Sequence, residues 1–145
     1  MNAASEPVRA ILERYAAAVR AKDVDAFVAL YDADVHVFDM WGQWSLRGID
    51  AWREMARGWF GSLGEEHVVV GFDDVEAMAA DGLAIGHATT TYAAYAADGT
   101  RLRSLDNRIT LVLRRQGGDW NVVHQHTATP IEHGSLKAML QRPPA

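Results

Sequence analysis

Apolar residues recur at two different spacings along this chain, and the switch between them predicts its elements. Over residues 5–21, Val8, Ile11, Leu12, Tyr15 and Val19 fall on one stripe at helical spacing. Ser5 suits the N-cap of that helix and Pro7 its first turn. The segment "AKD" breaks the stripe. Asp23 then suits the N-cap of a second helix whose apolar positions are Val24, Phe27, Val28, Leu30 and Tyr31. At "ADVHVFDMWG" the period drops to two. Val35, Val37 and Asp39 share one face, and His36, Phe38 and Met40 the other. "QWSLRG" predicts a second short strand ending in a turn. "IDAWREMARGWFGSL" returns to helical spacing, with Trp52, Met55, Trp59 and Phe60 near one face.

Beyond Gly64 the pattern stays strand-like, with candidates at 65–77, 83–96, 101–115 and 120–131. The intervening turns are "AADG" (79–82), "AADG" (96–99) and "QGGD" (116–119), each with the Gly and Asp that hairpins prefer. In the tail, Leu136, Met139 and Leu140 predict a short helical turn before two prolines. Helices grouped first and hairpins last predict an α+β domain. Long strands wrapped around three helices enclose an apolar cavity, a usual place for a small ligand.

The chain has 145 residues, 49% hydrophobic and 23% charged, which predicts one domain over 1–145. Its core spans about 8–131, leaving a tail at 132–145. A net charge of −5 argues against a nucleic-acid partner, which needs a basic stripe. The absence of cysteine excludes disulfides, thiolate chemistry and cysteine-based zinc sites. No run approaches the roughly 18 apolar residues that span a bilayer, so no membrane partner is expected. The N-terminus lacks the pattern of a signal peptide, and the expected location is cytoplasmic.

Two segments carry a family resemblance. "ERYAAAVRAKDVDAFVALYDADVHVFDMWG" resembles the opening of ketosteroid isomerases and SnoaL-like polyketide cyclases: a helix with "RY", an "A-x-D-x-D" connection, "ALY", and a strand ending in Asp. "NRITLVLRRQGGDWNVVHQHTATP" resembles SnoaL-like proteins and the association domain of calcium/calmodulin-dependent kinase II. The shared pattern there is Arg-x-Thr, then Gly, Trp, and His-x-His followed by Pro. The resemblance covers about residues 8–131. It implies the nuclear transport factor 2-like (NTF2-like, or cystatin-like) fold, a cone-shaped barrel of three helices and a curved, mostly antiparallel sheet. It also implies a homodimer through the outer sheet face. The superfamily holds isomerases, cyclases, dehydratases, hydrolases and assembly domains, so the fold alone does not give the chemistry.

Asp39 is the leading catalytic candidate. Following Val35 and Val37 on an apolar face, its carboxyl should be partly desolvated, which raises its pKa toward the range of a useful base. By resemblance it occupies the position of the isomerase Asp that shuttles a proton beside a carbonyl. The competing expectation is a strand-end Asp capping a turn. Tyr15 matches the family's oxyanion-donating Tyr, and a phenol in a dry pocket suits that role. Its alternative is a core aromatic on the helix stripe. Two departures bear on steroid isomerisation. The second donor of that family, a protonated Asp, has no clear counterpart in "NRITLVL", and the family's frequent "EDP" is here "FDM".

His124 and His126 alternate on one strand and share a face. With Arg108 they are expected to bind a carbonyl or carboxylate in the pocket floor. The alternative has one His hydrogen-bonded to a neighbouring strand and the other facing solvent or a partner. A zinc site needs third and fourth ligands, and His36, His87 and Asp39 are not so arranged by spacing, so no metal and no cofactor is expected. Trp41 and Trp59 are candidates to line the pocket and stack on a flat ligand, while Trp120 is assigned to packing. The expected partner is a small apolar, carbonyl-bearing molecule. The expected activity is proton abstraction beside that carbonyl, in an isomerase or cyclase. The rival is a non-catalytic ligand-binding or assembly domain.

Overall fold

The computed structural model describes residues 5–144. Helix α1 (Glu6–Ala21) and short helix α2 (Val24–Val28) precede strand β1 (Tyr31–Phe38). A two-residue strand β2 (Leu46–Arg47) leads into helix α3 (Ile49–Ser62). Four long strands follow: β3 (His67–Ala80), β4 (Leu83–Tyr95), β5 (Arg101–Gln116) and β6 (Asp119–Ala128). The sheet runs β2-β1-β6-β5-β4-β3 and is antiparallel except where β1 lies parallel to β6. It is curved and mixed but does not close, since β2 and β3 remain its edges.

Local chemistry explains the joints. Asp23 caps α2 by accepting from the Ala26 amide at 3.0 Å. Lys22 ends α1 in the left-handed region, with φ of 54°. Its Nζ donates to the carbonyls of Gly64 (2.7 Å) and Glu66 (2.8 Å), tying the first helical corner to the start of β3. In β3 the pairing slips between Asp73 and Glu76, and Asp74 takes a φ of 54°. Such a bulge bends a strand, which lets the sheet curl over the helices.

The core lies between the concave sheet face and the helices. Phe27 is its hub, fully buried, with ring centroids of Tyr15, Tyr31, Trp52 and Phe60 at 5.2, 5.5, 5.8 and 5.6 Å. Tilted and edge-on rings at such distances add to the burial of their area. Gly86 on β4 lets α1 approach, because a Cβ there would stand 2.4 Å from Val8 Cγ1.

The predicted helical turn in the tail is absent. Residues 129–144 instead fold back, with a bridge between Ile131 and Ala138 and Leu136 at φ 60°. The tail then runs along β5, where the Asp106 amide donates to the Leu140 carbonyl at 2.8 Å. Among the described residues no helix is long and apolar enough to cross a membrane.

Candidate active site

Asp39 leaves β1 just past Phe38, where the strand gives way to bends through Trp44. Val35 and Val37 are fully buried, and alternation carries Asp39 to the same inner side. There it lines a cavity of about 850 Å³ between the helices and the concave sheet. The walls are mostly apolar, with Met40, Trp41, Leu46, Trp52, Met55, Trp59, Leu63 and Val68 among them. Burial raises the Asp39 pKa, opposed in part by the Thr127 hydroxyl and the backbone amides of Trp41 and Met40.

Thr127 holds this carboxylate. Its Oγ1 donates to Asp39 Oδ1 at 3.1 Å and accepts from the Met40 amide at 3.0 Å. One buried hydroxyl thus fixes both the carboxylate and the turn that follows it.

The same cavity holds a pair of phenols. Tyr15 from α1 and Tyr92 from β4 place their hydroxyls 2.9 Å apart, and both line the cavity. Burial, then the neighbouring Tyr92, pushes the Tyr15 pKa well up; burial pushes Tyr92 up to about 12. Both phenols therefore keep their protons in the neutral range. One hydrogen serves the pair, which leaves the other to donate to a ligand. Asn107 of β5 adjoins them. Its Nδ2 donates to Met40 Sδ at 3.3 Å, while its buried Oδ1 has no hydrogen-bond partner among the described residues.

The structure thus brings Asp39, Tyr15, Trp41 and Trp59 to one cavity. It does not bring His124, His126 or Arg108 there, and the expectation of a pocket floor built from them is corrected. The cause is a bulge in β6. Val122 is a fully buried core residue paired with Leu113, while His124 pairs with the next residue, Val112, so Val123 is extra. A one-residue slip exchanges the faces of every later position. Gln125 and Thr127 turn inward and are buried; His126 is exposed and His124 half-buried on the outer side. His124 donates from Nδ1 to the His36 carbonyl at 2.7 Å, and His126 only packs its ring edge-on to Phe38. That is the alternative weighed for the pair. Arg108 is exposed opposite Ala128, and its neighbour Asn107 faces in. Among the described residues no three His, Asp or Glu side chains group to hold a metal.

The sequence does not single out Tyr92, Thr127 or Asn107. Tyr92 ends a run of three threonines in "TTTYAAY", and only the register of β4 against β5 shows which of these residues turn inward.

Comparison with known proteins fits this geometry. A SnoaL-like domain matches residues 8–132. An NTF2-like protein of unknown function from Pseudomonas putida superposes with a TM-score of 0.84 at 27% identity, covering 98% of this chain and 97% of that one. A candidate scytalone dehydratase from Novosphingobium aromaticivorans gives 0.73 at 13% identity, covering 97% and 93%. A candidate calcium/calmodulin-dependent kinase II association domain from Xanthomonas campestris gives 0.74 at 14%, covering 95% and 89%. At such identities the last two show the fold alone. No curated protein matches the sequence. With the family match spanning most of the chain, the protein belongs to the SnoaL-like family and has the NTF2-like, cystatin-like fold.

Proposed function

We propose that the protein moves a proton beside the carbonyl of a small apolar substrate, as an isomerase or cyclase. The observation that carries this reading is a partly desolvated carboxylate and a protonated tyrosine pair lining one apolar cavity. The substrate carbonyl oxygen accepts the free hydrogen of the Tyr15–Tyr92 pair. Asp39 takes the proton from the adjacent carbon; the C–H electrons move into the new C=C bond and the carbonyl pair onto oxygen. The phenol stabilises the enolate so formed in a medium of low dielectric. Where the substrate carries a β,γ double bond, the C=C pair of the dienolate takes the proton back from Asp39 at the γ carbon; where it carries a second carbonyl, the enolate carbon bonds to that carbonyl carbon, the C=O pair moves onto its oxygen, and this oxygen takes the proton from Asp39. The orphan Asn107 Oδ1 is available to accept from a hydroxyl on the substrate.

The likeness to a candidate dehydratase and to a candidate association domain is equally close in fold, so neither selects the function. An assembly domain has no need of a carboxylate held in an apolar cavity. A homodimer through the outer sheet face belongs to the same proposal, since exposed Val69, Ile85 and Met78 lie there. Sedimentation of the free chain checks it.

The direct test is hydrogen exchange. The protein is incubated in D₂O with a panel of enolisable aryl ketones, and the α-proton signal is followed by NMR. Exchange is expected, and Asp39→Asn should slow it by roughly 10²–10⁴-fold. A panel left unexchanged, with the variant no different, favours the non-catalytic ligand-binding reading instead.

A further inference from the structure

A second concavity of about 640 Å³ adjoins the main cavity. The two share Asp39, Met40, Trp41, Gly42, Gln43 and Leu140, so the bend after β1 and one tail residue form a common wall. Asp39 therefore lines both concavities. The groove's far side is built from Phe38, Trp44, His126 and Ile131. These are large groups left in water: Trp44 is 98% exposed and Ile131 66%. The His126 ring has no hydrogen-bond partner among the described residues and only an edge contact to Phe38. Apolar surface rimmed by a few polar groups and adjoining a ligand cavity suits a binding subsite.

We propose that this groove is a second subsite, which takes a flat aryl arm of the same substrate whose carbonyl lies over Asp39. The proposal rests on the carbonyl reading of the main cavity and adds to it the shape of the substrate, which is elongated and two-part. The occupant follows from this shared lining. A substrate that extends over the bend at 39–43 reaches a trough whose walls include indole, phenyl and branched aliphatic groups. Indole and phenyl faces favour a ring over a flexible chain, by offset or edge-on stacking. His126 and Thr129 add hydrogen-bonding groups to the lining, suited to an oxygen substituent on that ring.

The test compares two ketones, 1-tetralone and 6-benzyloxy-1-tetralone, by calorimetric titration. The full chain is used, with Trp44→Ala and Ile131→Glu beside it. Both positions are well exposed and neither lines the main cavity, so both variants should fold. The benzyloxy ketone is expected to bind the parent roughly tenfold tighter than 1-tetralone. Either variant should remove most of that gain and leave the affinity for 1-tetralone unchanged. Equal affinity of the two ketones for the parent overturns the subsite and leaves the main cavity's reading standing. A gain that both variants retain overturns it as well. A dimer that dissociates in both variants, with no gain in the parent, means that a second copy covers the groove. Failure of both ketones to bind overturns the subsite and the carbonyl reading together. A variant-sensitive gain without α-proton exchange keeps the subsite and removes the catalytic reading.

Discussion

At the scale of single residues, the site depends on opposing effects on one carboxylate. Burial raises the Asp39 pKa and the Thr127 hydrogen bond lowers it. Thr127→Val removes a bond that favours the charged form, so the Asp39 pKa should rise further. The base form is lost as pH falls through that pKa. The acid limb of the exchange rate should therefore move to higher pH in Thr127→Val, and Thr127→Ser should return it. A rate–pH profile with all three proteins decides; an unmoved limb means that Thr127 has no hold on the base. The same shift has a consequence for folding. A carboxyl whose pKa is raised in the folded state binds protons there that the unfolded chain has released. Its contribution therefore weakens stability as pH rises from the unfolded pKa through the folded one. Asp39→Asn should accordingly melt higher than the parent at neutral pH, with the difference vanishing in acid. The inward placement of Asp39 and Tyr15 was legible in the sequence because a period-two strand and a helical stripe assigned their faces; their roles rest on the resemblance and belong to the proposal. Thr127 was not, because the extra residue at Val123 reverses the face of everything after it, and nothing in "NVVHQHT" announces a bulge.

At the scale of elements, the contact between α1 and the sheet is set by one missing side chain. Val8 is fully buried, and a methyl on Gly86 would collide with both its γ carbons, at 2.4 and 2.8 Å. Gly86→Ala should cost about 1–3 kcal/mol, the usual penalty of overpacking. Val8→Ala in the same chain should recover part of it, and thermal or urea unfolding of the three variants checks both statements. Failure of the double variant to recover anything would locate the strain elsewhere. The hairpins were readable because Gly and Asp mark their turns, and β4 and β5 end within one residue of the expected bounds. The tail was not. Leu136, Met139 and Leu140 have helical spacing, but Glu132 accepts from the Ser135 amide, and Leu136 then adopts a left-handed backbone. That geometry closes a hairpin-like loop, with the Glu132 amide donating to the Lys137 carbonyl at 2.8 Å.

At the scale of the whole molecule, both helical faces and the concave sheet contribute to one cavity, so the fold class and the pocket's existence could be read from element order alone. The contents of the pocket could not, because Tyr15 and Tyr92 lie 77 positions apart and meet only when α1 settles across β4. β1 lies in parallel beside β6, although more than half of the chain separates them. Asp39 and its Thr127 support, 88 positions apart, meet only across that pairing. This has a consequence during synthesis. A nascent chain that has emerged only as far as β5 carries Asp39 without the Thr127 hydroxyl that holds it. Contacts of such long reach form late and slowly. The Asp39 carboxylate is thereby left without its Thr127 support until translation has passed β6, and a ribosome that stalls earlier releases a chain in which the proposed base is not held.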